Sequence, residues 1–218
     1  TYSYERYMKL GGKQTKMEKC SLMYVWKFGI NGFCIIGRTW DEFLNMLSEI
    51  VAILELCQKK RVIIYVHNLA YEFQFFRQLL DWEKVFSIDL RKPIYGITKN
   101  GLEFRCSYFL SGYSLAKLGE QLHKYKCEKL VGDLDYSLLR HSRTPLTQKE
   151  IGYCLNDIKV VMCYIQELIE QYKGITRLPI TKTGFVRKYC RSVCFKTTDE
   201  TGKTIPNFKY IDKIHSLN

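Results

Sequence analysis

"RVIIYVHNLAYEFQFFRQLL", residues 61–80, decides how the rest of the chain is read. Residues 61–67 are apolar on both faces, as in a strand covered by other elements on each side. Residues 71–80 carry Phe73, Phe76, Leu79 and Leu80 at helical spacing. Between the two runs stand Asn68, Tyr71 and Glu72. A strand that hands over to a helix is where open α/β sheets gather ligands. The plain reading makes Asn68 a helix cap and Glu72 a favourable first-turn charge. In the functional reading, Asn68 exchanges hydrogen bonds with a nucleotide and Tyr71 offers a face on which a base stacks.

Working outward, residues 21–29 and 32–36 are apolar runs joined through Asn31-Gly32, a favoured type I′ hairpin pair. Residues 40–57 have helical spacing, with Thr39 and Glu42 as a capping box. Residues 85–90, 93–98 and 102–109 are β-like, and Lys99-Asn100-Gly101 turns between the last two. Ser114 caps a short helix over 114–122, and 129–139 is irregular. A long helix fills 147–172, with Thr147 and Glu150 as a second capping box. Beyond Gly174 the pattern weakens. This order predicts an α/β fold with a mixed sheet flanked by helices.

The 218 residues are 46% hydrophobic and 14% aromatic, enough for a sizeable core and unlike a disordered chain. No apolar run reaches the length of a membrane span, so no membrane partner is expected. Nine cysteines, an odd number with no C-x-x-C pair, suggest reduced thiols in a cytoplasm-like compartment. Cys190, Cys194 and His215 are three conceivable metal ligands; thiols packed on one helical face is the plainer reading. The net charge is +12, and residues 173–218 hold ten Lys and Arg against three carboxylates. Such clustering attracts phosphate backbones, although an anionic membrane or simple solubility also suits it. The first residue is Thr and the last stretch is "KIHSLN", so both ends read as cuts through a longer chain.

In the long helix, "YCLND" sets Tyr153 and Asp157 at i and i+4, on one face. That face points partly inward, since Val160, Val161, Tyr164 and Leu168 lie on neighbouring rows. A carboxylate and a phenol there suit metal chemistry on phosphodiesters. In such chemistry carboxylates hold two divalent ions about 3.5–4 Å apart, and a phenol can orient the attacking water. Glu72 is the natural second carboxylate.

"HNLAYEF" followed by "GYCLNDIKVV" resembles the second and third exonuclease motifs of protein-primed family B DNA polymerases of phages and linear plasmids. "MYVWKFGI", "IIGRTWDEF", "FRCSYFLSGYSLAKLGEQL", "KLVGDLDYSLLR" and "TKTGFVRKYCR" resemble further segments of that family in the same order. The resemblance covers most of the chain. It implies a ribonuclease H-like 3′–5′ proofreading exonuclease domain over 1–173 and a basic segment, 174–218, leading into the polymerase palm. It implies Mg²⁺ or Mn²⁺ as cofactor, single-stranded and primer-template DNA as partners, and a terminal protein as primer. Glu72 and Asp157 would be metal ligands, and Tyr153 would orient the water. Asn68 and Tyr71 would hold the single-stranded 3′ end, Ser107 would contact single-stranded DNA, and Tyr136 would guide the strand. Lys129, two positions off the family's spacing, would stabilise developing charge.

Two departures matter. The family's second motif carries Asp where this chain has Glu72, one methylene longer. The first motif, Asp-x-Glu-Thr, is absent, so the strand that bears it is expected to be missing from the sheet. The alternatives are a non-catalytic single-stranded DNA-binding module derived from that domain, an unrelated nuclease on the same scaffold, and a structural interaction protein.

Overall fold

The computed structural model describes residues 2–10, 13–127, 138 and 140–215, with side chains described among these from Ser21 to Lys213. Two long strands open the chain, β1 (Tyr2–Leu10) and β2 (Lys13–Leu22), paired antiparallel. No element is read before Ser21 from the sequence, and the apolar run over 21–29 is divided between the end of β2 and the strand that follows. A second hairpin follows, β3 (Trp26–Ile30) and β4 (Phe33–Gly37). Its turn has positive φ at both Asn31 (48°) and Gly32 (84°), as a type I′ turn demands. Next comes α1 (Trp40–Ile53), started by the Thr39–Glu42 capping box and four residues shorter than its sequence pattern.

The main sheet comprises β5 (Val62–Val66), β6 (Trp82–Ser87), β7 (Pro93–Thr98) and β8 (Leu102–Cys106), in the order β5-β8-β7-β6. β5 runs parallel to β8, whereas β7 is antiparallel to both β8 and β6. The sheet is therefore mixed, as the sequence predicts. Among the described residues β5 is hydrogen-bonded on one side only. Helix α2 (Leu69–Phe76) follows β5 at once and covers the sheet. Leu69, Phe76, Leu102 and Phe104 are buried together with Trp26, Phe43 and Leu47 in the principal core. The rings of Phe73, Phe76, Trp82 and Phe104 pack at centroid distances of 5.0–6.2 Å, in the edge and offset arrangements that aromatic pairs favour.

The strand expected over 102–109 ends at Cys106 and gives way to a short helix, α3 (Ser107–Ser111), closed by Gly112 in the left-handed region. Helix α4 (Leu115–Glu120) starts at the Ser114 cap. The longest element is α5 (Gln148–Tyr172), with the Thr147–Glu150 capping box in place. Glu150 is also ion-paired with Arg140 at 2.8 Å. Beyond it lie α6 (Lys182–Cys194), the hairpin β9 (Lys196–Thr198) and β10 (Thr204–Pro206), and α7 (Phe208–His215). The weak sequence pattern after Gly174 has a physical reason: α6 buries no residue fully. No described helix is long and apolar enough to cross a membrane.

Contact between β3 and α5 positions the site. Gly29 lets the helix approach: a Cβ there would stand 2.5 Å from Met162 Sδ and 2.6 Å from Ile158 Cγ2. With no side chain in the way, the β3 residue two positions earlier, Lys27, reaches the α5 face that carries Tyr153 and Asp157.

Candidate nucleic-acid site

Asn68 is the residue before α2, and it adopts φ 60°, ψ 55°. That left-handed conformation is tolerated by Asn better than by most side chains. Its carbonyl accepts from the Tyr71 N–H at 2.9 Å. Its side chain makes no capping hydrogen bond, so the cap reading of Asn68 does not hold and the exposed amide remains available. Tyr71 is 41% exposed, with Phe75 packed against its ring at 5.3 Å. A partly exposed aromatic ring therefore follows closely on a polar amide in the chain.

On α5, Asp157 is buried, and its Oδ2 accepts from Lys27 Nζ at 2.7 Å. Its Oδ1 has no hydrogen-bond partner among the described residues. The same ammonium lies 5.6 Å from the centre of the Tyr153 ring, a cation–π distance. Glu72 reaches water although protein surrounds it closely. Desolvation pushes its carboxyl above the ordinary range, and Lys27 opposes that push. Lys27 thus acts on Asp157, Tyr153 and Glu72 together. The sequence reading lacks Lys27 altogether, and its signal was a lysine inside the apolar run "MYVWKFGI". A cation set in a half-buried strand needs a partner, because the isolated charge is strongly unfavourable there.

Ser107, expected to touch a DNA strand, is fully buried at the start of α3. Its hydroxyl lies 3.1 Å from His67 Nδ1, so direct contact with a strand is not open to it as folded. It holds instead the residue next to Asn68. The exposed Tyr108 ring packs edge-on against His67 at 6.0 Å. Lys129 and Tyr136 fall outside the described residues, as does the side chain of His215. Cys190 and Cys194 are free thiols on α6.

No three His, Cys, Asp or Glu converge on a point among the described residues. The described donors do not fit a two-ion centre: one buried carboxylate is already paired with an ammonium, and the other is Glu72. What the arrangement can do chemically is bind. It offers a partly exposed aromatic ring, an exposed amide and a cation paired with one carboxylate 5.6 Å from the centre of a phenol ring, which suits a nucleobase and its phosphate.

Neither a protein-family model nor a curated protein matches the sequence. The fold is similar to that of phi29 DNA polymerase complexed with single-stranded DNA, with a TM-score of 0.56 at 17% identity over 74% of this chain. It is similar also to phi29 DNA polymerase complexed with primer-template DNA, with a TM-score of 0.57 at 16% identity over 88% of this chain. These matches cover 29% and 33% of the polymerase chains. The chain spans about a third of the length of the solved proteins it resembles, and the likeness is one of fold.

Proposed function

We propose that this chain is the 3′–5′ exonuclease region of a protein-primed family B DNA polymerase, built on a ribonuclease H-like fold, and that it grips single-stranded 3′ ends beside the β5–α2 junction. The observation that carries this reading is Lys27, whose ammonium pairs with Asp157 at 2.7 Å, lies 5.6 Å from the centre of the Tyr153 ring and opposes the upward push on the carboxyl of Glu72, the residue that follows Tyr71. In this reading the terminal base stacks on Tyr71 and Asn68 hydrogen-bonds it. The Lys27 ammonium faces the terminal phosphate, and the Tyr153 phenol orients water there. The polymerase to which the fold is similar was solved with single-stranded and with primer-template DNA, and we carry those partners over, together with a terminal protein for the whole enzyme. Lys129 and Tyr136 keep their proposed roles in charge stabilisation and strand guidance.

Cleavage is proposed to depend on Mg²⁺ or Mn²⁺, for which the described donors are too few. What these residues do by themselves is bind a strand, and the Lys27–Asp157 pair favours a second reading, a binding module without chemistry. Anisotropy titrations test the shared claim. An oligonucleotide with a free 3′ end should bind more tightly than the same strand with that end closed in a hairpin. Tyr71→Ala should weaken the first by about tenfold, from the ~1–3 kcal/mol of one stacked base, and leave the second unchanged. Equal affinity for both ends would contradict the reading. Shortening of 3′ ends with Mg²⁺, lost in Asp157→Ala, would separate the nuclease from the binding module.

A further inference from the structure

We propose that the groove between α6 and the β9–β10 hairpin is a second nucleic-acid site, one that takes the backbone of a single strand without regard to its ends. Two hollows of about 430 and 460 Å³ adjoin there and share Arg191 and Lys196. The first is lined further by Arg187, Lys188 and Ser192, and the second by Phe195 and Ile205. One end is therefore cationic and the other apolar. A strand with unpaired bases meets both needs at once, phosphates on the cations and bases on the apolar wall. A duplex, its bases already stacked, has no use for the second.

Most of the charge in the groove is uncompensated. Helix α6 contains no carboxylate. Among the described residues, Arg187, Arg191 and Lys196 join no ion pair, and all three are exposed. Lys188 is partly committed: its Nζ donates to the Arg177 carbonyl at 3.3 Å and lies 5.4 Å from the Tyr172 ring centre. The hairpin turn holds two carboxylates: Asp199, which accepts from Thr201 and from the Lys203 backbone, and the exposed Glu200. Phe195 is held edge-on by Tyr210 at 5.5 Å, which keeps the apolar wall in place.

The groove is tied to the body that carries the first site. Lys182, which opens α6, lies 4.6 Å from the Tyr113 ring centre and packs on Gly112 at the end of α3. Helix α3 begins at Ser107, the residue that holds His67. Tyr172 of α5 meets Phe185 of α6 at 5.0 Å. The groove needs no 3′ end and does not depend on the reading of the first site.

The test uses the whole chain and a closed circular single-stranded DNA, which has no end for the first site to grip. The variant is Arg187→Ala, Arg191→Ala and Lys196→Ala together; these side chains are exposed, and an unchanged melting temperature verifies folding. The wild type should bind the circle with a steep salt dependence. The triple variant should bind at least tenfold more weakly at 50 mM salt. Its log–log salt slope should flatten by about 2, at ~0.7 for each phosphate that is no longer neutralised. Tyr71→Ala should leave binding to the circle unchanged, so that failure at one site is told from failure at the other. The proposal is overturned if the wild type does not bind the circle, or if the triple variant keeps its affinity and slope. It is overturned equally if the substitutions abolish binding to phosphatidylserine vesicles and spare DNA.

Discussion

Asp157 and Lys27 are 130 residues apart in sequence and 2.7 Å apart in the fold. Both are largely shielded from water, so each is destabilising without the other. Lys27→Met leaves the Asp157 carboxylate unpaired and should destabilise the protein by about 1–3 kcal/mol. Asp157→Asn added to it should recover most of that loss, giving a coupling of about 1–3 kcal/mol in urea titrations of the four proteins. Additive losses would mean that the pair contributes nothing as a pair. Asp157 and Tyr153 were legible in the sequence because the Thr147–Glu150 capping box fixes where α5 starts and i,i+4 spacing fixes their shared face. Lys27 was not, because the partner that explains it lies in a distant element. Nor was the left-handed turn at Asn68 legible: an Asn before a helix reads as a cap, and only the folded backbone shows that its amide caps nothing.

The elements were legible where one rule governed them. The Asn31-Gly32 turn, both capping boxes, the Ser114 cap and the mixed sheet follow from turn chemistry, capping and the order of apolar runs. Helix α3 was not, since five residues after an apolar strand carry too little periodicity to separate helix from strand. Helix α6 was obscured because it lies half in solvent and offers no continuous buried face. A quieter device holds α5 in place. Glu167 accepts backbone N–H groups of His123, Lys124 and Tyr125 at 2.7–3.2 Å. Burial pushes this carboxyl up, but those three donors outweigh it and hold it below the ordinary range. Because the folded state favours the ionised form, the stabilisation is present above the unfolded pKa, about 4.3. It is lost as the pH falls through the lower folded value. Glu167→Gln should therefore cost about 1–2 kcal/mol at pH 7. In denaturant titrations its deficit relative to wild type should shrink below about pH 4. A deficit that stays constant with pH would assign the effect to packing instead.

At the scale of the molecule, a mixed sheet is covered by α2, Lys27 of β3 is paired with Asp157 of α5, and a basic groove lies on α6. The sheet resembles part of a DNA polymerase in fold. The chemistry proposed for this chain rests on its own residues. Composition foresaw the concentration of positive charge after residue 173, whereas its arrangement as a groove needed the pairing of β9 with β10, two three-residue strands too short to register in a sequence pattern. The central claim is that a strand's 3′ end lies between Tyr71 and the Lys27–Asp157 pair. The most direct measurement is photo-crosslinking of a single strand that carries 4-thiothymidine at its 3′ terminus, with the adduct mapped by mass spectrometry. The account predicts adducts at Tyr71 or Tyr153, lost when the same nucleotide is placed in the middle of the strand. Adducts confined to other surfaces, or independent of the nucleotide's position, would contradict it.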